Sequence, residues 1–159
     1  MKSFNNKIFN LKVQNNLKSI YSKNKPFKYL IIDNFLKENV AVEFEKSFKI
    51  NSNWTNYSLV NNFKKYGLKK RFLFKKKCDQ TVNDLGSKKF VKILNHLTKN
   101  KGLFLDTDLD GGGFHKVLDG GYLNVHVDFT SHYKNQNWKR VLKLLMYFNR
   151  DWKKSYNGY

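Results

Sequence analysis

An imidazole and a carboxylate stand two residues apart in the stretch Gly120-Gly-Tyr-Leu-Asn-Val-His-Val-Asp-Phe129. Apolar and polar side chains alternate along it, the pattern of a half-buried strand. Successive strand side chains point to opposite faces. Leu123, Val125, Val127 and Phe129 therefore share one face, and Tyr122, Asn124, His126 and Asp128 the other. One nitrogen and one oxygen donor, one pleat apart, suit a single metal ion. A His-x-Asp pair supplies two of the three protein ligands in the facial triad that holds non-haem Fe(II) and leaves positions open for substrates. As a catalytic dyad the pair lacks a Ser or Cys nucleophile in a recognisable elbow. As a zinc site it needs further partners.

The other chemically capable residues are fewer. Asp106, Asp108, Asp110 and Gly111 mimic the opening of a calcium loop, but the twelfth position, which requires a bidentate Glu, is Val117. Gly111-Gly-Gly113 has no following Gly-Lys-Ser/Thr and reads as a tight turn, not a phosphate loop. His96 lies off the apolar stripe of its helix and reads as a surface residue. Cys78 is alone, which excludes an intrachain disulfide and a Cys-based metal site and suits a reducing compartment.

The elements that would position the pair follow from periodicity. Ile8, Leu11, Leu17, Ile20 and Tyr21 give a loose helical pattern that Pro26 closes. Phe27 to Asp33 reads as a strand. Glu38 to Phe48, with Val40, Val42, Phe44 and Phe48, reads as an amphipathic helix. Residues 49–63 read as a loop with a short strand around Trp54 and Tyr57. Ser87 to Lys99 is the clearest helix, with Phe90, Ile93, Leu94 and Leu97 on one face, Ser87 or Asp84 as cap and Gly102 as stop. Phe114–Leu118 is expected to be a strand joined by a hairpin turn at Asp119-Gly120-Gly121 to the His-x-Asp strand. Val141 to Phe148 reads as a buried strand broken by Lys143.

The chain of 159 residues is 16% aromatic, which is enough for a core and too apolar for disorder. Its net charge of +19 comes almost wholly from Lys, with Arg only at Arg71, Arg140 and Arg150. Frequent Lys and Asn together are what A/T-rich codons would write. A dedicated nucleic-acid binder would use more Arg for bidentate contacts, so nucleic acid is not the expected partner. No apolar stretch is long enough to span a bilayer or serve as a signal sequence, and a cytoplasmic, non-membrane protein is expected.

The order of the pieces resembles the 2-oxoglutarate and Fe(II)-dependent oxygenases, in their prolyl 4-hydroxylase-like branch. The pieces are Pro26-Phe-Lys-Tyr-Leu-Ile-Ile-Asp-Asn-Phe-Leu36, Trp54, Leu94-Asn-His-Leu-Thr98, Gly111-Gly-Gly-Phe-His115, the stretch from Gly120 to Phe129, and Arg140 through Leu144-Leu-Met-Tyr-Phe-Asn149 to Trp152. The resemblance implies an α+β chain with a mainly β core. That core is a double-stranded β-helix, or jelly roll, with supporting N-terminal helices. Residues 1–25 would form a basic N-terminal segment and 26–159 the oxygenase domain. It implies Fe(II) held by His126 and Asp128, 2-oxoglutarate as co-substrate, ascorbate as reductant, and Tyr122 and Asn124 on the inward face beside the co-substrate. The activity implied is hydroxylation of a peptidyl or small-molecule C–H bond, with release of succinate and carbon dioxide. The resemblance also calls for a distal His and a basic residue for 2-oxoglutarate on later strands. Neither is present, so the chain is expected to be incomplete at its C-terminus with the last strands missing. His132 follows Asp128 too closely to be the distal ligand and reads as a surface residue or one that orients a ligand. His115 reads as packing beside the barrel, and nothing moves the missing basic role onto Lys143.

Two other readings compete. One is a non-catalytic remnant of this fold. The other is a basic module that binds single-stranded nucleic acid through Lys64–Lys77, with Phe72 and Phe74 as stacking platforms. That strip carries eight basic residues and no acid, although charge runs are usually solvated surface.

Overall fold

The computed structural model describes residues 1–156. Within them the chain is α+β, with four α-helices and one small antiparallel sheet. Helices α1 (Leu11–Lys23), α2 (Glu38–Ile50), α3 (Lys76–Leu85) and α4 (Lys88–Thr98) accompany strands β1 (Thr55–Asn56), β2 (Asn62–Leu68) and β3 (Phe114–Leu123). The sheet order is β1-β2-β3, so β3 is an edge strand. A jelly roll is not formed by the described residues.

Local chemistry explains the helix boundaries. The Asn10 side chain accepts from the amides of Lys12 and Val13 and starts α1. Ser87 Oγ accepts from the Phe90 amide and starts α4. That helix ends at Lys99 in the left-handed region, with Gly102 following at φ +74°. Helix α3 begins at the end of the Lys64–Lys77 strip, which reads from sequence as solvated surface, and runs on to Leu85. Its stripe Cys78, Val82 and Leu85 has helical spacing, and Cys78 and Val82 are buried.

Two apolar clusters hold the elements together. Phe4, Ile8, Phe90, Ile93 and Leu97 form the first, joined by Phe35 and Leu36. Phe4 is fully buried, with rings of Phe35 and Phe90 each 4.8 Å away. Val40, Phe44, Leu68, Cys78 and Phe114 form the second, where α2 covers the sheet. Asp84 pins the N-terminus to α3, accepting from the amides of Lys2 and Ser3 at 3.0 and 2.9 Å.

Two expected strands are not formed and a third is cut short, and the physical reason is shared. A strand needs a neighbour to pair with. Residues 27–33 form no strand; Leu30 and Ile32 pack against the first cluster, and the backbone bridge to Phe4 is made further on, at Leu36. Residues 141–148 are extended but unpaired, and Tyr147 is 82% exposed. Their anchor is Phe148, stacked on Phe44 at 4.6 Å. The expected strand 120–129 stops at Leu123 because β2 ends at Asn62, its partner. Beyond it Val125 and Val127 are fully exposed, so the alternation continues with neither face buried.

The expected hairpin turn at Asp119-Gly120-Gly121 is also absent. These residues bulge from a single strand. Phe63 pairs with Tyr122 and Lys65 with Val117, leaving Leu118 to Gly121 opposite Lys64 alone. Lys64 Nζ bonds the Asp119 carbonyl at 2.8 Å across the bulge. At Gly121 an added Cβ would fall 2.8 Å from the Phe63 carbonyl and 2.7 Å from that of Leu118, so the glycine is required by space.

Candidate functional site

His126 and Asp128 meet although the segment that carries them is not a strand. Their Nε2 and Oδ1 atoms lie 3.6 Å apart. A tight local turn sets the ring, since His126 Nδ1 lies 2.8 Å from the carbonyl oxygen of Asn124. A carbonyl only accepts, so Nδ1 carries a proton, and in the neutral ring Nε2 is the free nitrogen facing Asp128. Asn124 thus enters the site through its backbone, not the side chain expected from the sequence. Tyr122 pairs with Phe63 on the sheet, ring centroids 6.1 Å apart.

Asp128 is held by two cations. Lys143 Nζ is 2.6 Å from Oδ2, and Arg140 approaches the same oxygen at 3.6 Å. The Lys143 hydrogen bond is the main reason the carboxyl stays below its usual pKa, against the opposing effect of partial burial. The carboxylate is therefore ionised, with Oδ1 turned to His126. Nε2 and Oδ1 face one another at 3.6 Å, and with the ring neutral both are acceptors that a cation between them would satisfy. Imidazole and carboxylate donors bonded to a first-row divalent ion at about 2.1 Å and at right angles lie about 3 Å apart.

The donor types suit Fe(II). Among the described residues no third His, Cys, Asp or Glu joins this pair, so a complete facial triad is not formed by them. His115 faces Gly67 across β2 and β3. Packing around its ring, then the charge of Lys65, lower its pKa, although part of the side chain meets solvent. His96 bonds Asn15 at 3.0 Å on the surface, as expected.

A second cluster was not foreseen. Asp106, Asp108 and His132 bring three donors within 4.8 Å of one another, a group able to hold a metal ion. Asp106 organises its own loop, accepting from the amides of Asp108 at 2.9 Å and Asp110 at 2.6 Å. His132 arrives from a small hairpin closed by the Ser131–Lys139 bridge, and its ring sits beside Tyr133 and Trp138. Arg140 links the two sites. It bonds the Asp110 carbonyl at 3.0 Å, covers the Phe129 ring at 3.7 Å and reaches Asp128. The Asp-x-Asp spacing is visible in the sequence, but its closure by a histidine from a separate loop is not.

Concavities of about 230 and 460 Å³ occur at Ser47, Asn51 and Leu73 and at Tyr21, Lys28 and Thr98, neither of them lined by His126 or Asp128. No described helix is long and apolar enough to cross a membrane. Comparison with family models, curated proteins and solved structures gave no match to this chain.

Proposed function

We propose that this chain carries the iron-binding pair of an Fe(II)- and 2-oxoglutarate-dependent dioxygenase, with His126 and Asp128 as metal ligands. The observation that supports it is the facing of the His126 Nε2 lone pair and the Asp128 carboxylate, with the imidazole fixed in the ligating tautomer by the Asn124 carbonyl. Bound Fe(II) and 2-oxoglutarate would supply the oxygen activation that hydroxylates an unactivated C–H bond. The chain's own residues supply orientation and charge. Asn124 holds the ring, Lys143 keeps Asp128 ionised, and Arg140 braces the same carboxylate. The substrate is a small molecule or a peptide, and ascorbate serves as reductant.

Anaerobic loading with Fe(II), followed by oxygen, 2-oxoglutarate and ascorbate, tests the proposal through succinate release. Iron-dependent succinate that disappears in His126→Ala and in Asp128→Ala is the expected result. Stoichiometric iron binding without succinate would instead favour a non-catalytic chain of this fold, consistent with the two-ligand set among the described residues. Succinate release unchanged by either substitution would overturn the ligand assignment.

A further inference from the structure

We infer that Asp106, Asp108 and His132 form a second, independent site for a divalent transition-metal ion, distinct from His126 and Asp128. His132 is 7% exposed, and its Nε2 has no hydrogen-bond partner. The nearest acceptor of opposite charge is Asp106 Oδ1, 3.6 Å away and beyond hydrogen-bonding range. A buried imidazole nitrogen without a hydrogen-bond partner, aimed at the carboxylates of Asp106 and Asp108, is an unsatisfied polar group that a shared ion would satisfy.

The surrounding contacts show how an ion would enter. The Lys134 amide donates to His132 Nδ1 at 3.2 Å, so in the metal-free chain Nε2 carries the ring proton. Metal binding at Nε2 requires that proton to move to Nδ1, where it would face the Lys134 N–H donor, so the ring and the Lys134 backbone must part and release this hydrogen bond. Asp108 gives one oxygen to Lys134 Nζ at 2.7 Å and keeps the other. That ion pair holds the Asp108 carboxylate beside the site with its second oxygen available. Asp110 does not compete for the role, since its Oδ2 accepts from the Tyr133 amide at 3.3 Å and docks the two loops together. Two carboxylates and one imidazole suit Zn²⁺ or Mn²⁺, whereas Ca²⁺ takes oxygen ligands. The Asp-x-Asp opening that fails as a calcium loop thus acquires a different third ligand from the 130–140 hairpin.

Zn²⁺ titration of the full chain by calorimetry, in a His126→Ala background that silences the other pair, provides the test. One Zn²⁺ per chain is expected, weakened at least about tenfold by His132→Gln or by Asp108→Asn. Lys134→Met should tighten it about twofold to fivefold by freeing Asp108. Ca²⁺ should bind more weakly and be indifferent to His132. Should His132→Gln unfold, as circular dichroism would show, the exposed Asp108 and Lys134 variants decide the matter. Zn²⁺ affinity unmoved by both of these, absence of binding, or Ca²⁺ binding as tight as Zn²⁺ would overturn the inference.

Discussion

Lys143 controls what His126 and Asp128 can hold. Its ammonium lies 2.6 Å from Asp128 Oδ2, close enough to preserve the carboxylate and to repel an incoming metal ion. These effects separate with pH. The folded pKa of Asp128 is lowered chiefly by the Lys143 hydrogen bond, so the carboxylate persists below the usual range and is lost as pH falls through the lowered value. In Lys143→Met the Asp128 protonation midpoint should rise toward the ordinary carboxylate value. Metal affinity near neutral pH should also increase. Carboxyl carbon shifts followed by NMR across an acid titration check the first, and metal titration checks the second. An unmoved midpoint would mean that Lys143 does not set the charge of Asp128.

At the scale of elements, the N-terminus depends on one carboxylate at the end of α3. Asp84 is buried, which by itself raises its pKa. Hydrogen bonds from Ser3, Gln80 and the Lys2 amide outweigh that and lower it. A lowered folded pKa contributes stability above the unfolded pKa, and that contribution is lost as pH falls through the folded value. Asp84→Ala should cost about 2 kcal/mol at neutral pH, with a smaller loss in acid, measured by urea unfolding at both. Equal losses at the two pH values would remove the charge from the explanation. Helices α2 and α4 were legible because their apolar side chains recur at helical spacing and Ser87 provides a cap. Helix α3 was hidden by the lysine run at its start, which drowns the signal from Cys78, Val82 and Leu85. The strands expected at 27–33 and 141–148 are not formed, and the one expected at 120–129 ends at Leu123, for a different reason. Periodicity describes one segment, whereas a strand is a property of two, and here the partner is absent or ends early. The spacing of His126 and Asp128 survived because two residues in one short segment stay near one another even without the sheet. The approach of His132 to Asp106, 26 positions apart in the sequence, had no local signature.

For the whole molecule, the charge of +19 is the dominant long-range property. Its lysines lie on every helix as well as in the strip from Lys64 to Lys77. Within that strip Arg71 is engaged with Asp79, Lys64 with the Asp119 carbonyl and Lys75 with Glu43, which leaves less free charge than the sequence suggests. Phe74 packs on Phe114 at 4.7 Å, so of the two expected stacking platforms only Phe72, 81% exposed, faces solvent. Polyanion binding should therefore be diffuse, salt-sensitive and indifferent to sequence. Neutralising Lys69, Lys70 and Lys76 should weaken retention on an oligonucleotide column about as much as neutralising Lys12, Lys18 and Lys23 on α1. A clearly larger loss from the first set would establish a dedicated strip.

The proposed dioxygenase role requires a metal ion bound between His126 Nε2 and Asp128. Anaerobic addition of Fe(II) to chain labelled at the histidine rings, observed by nitrogen-detected NMR, tests it most directly. The Nδ1–H tautomer of His126 is expected before iron is added, and the His126 signals should be the first to shift or broaden. Asp128→Ala should abolish this response. His126 signals that stay unchanged while iron binds elsewhere, or a response that persists in Asp128→Ala, would contradict the ligand assignment.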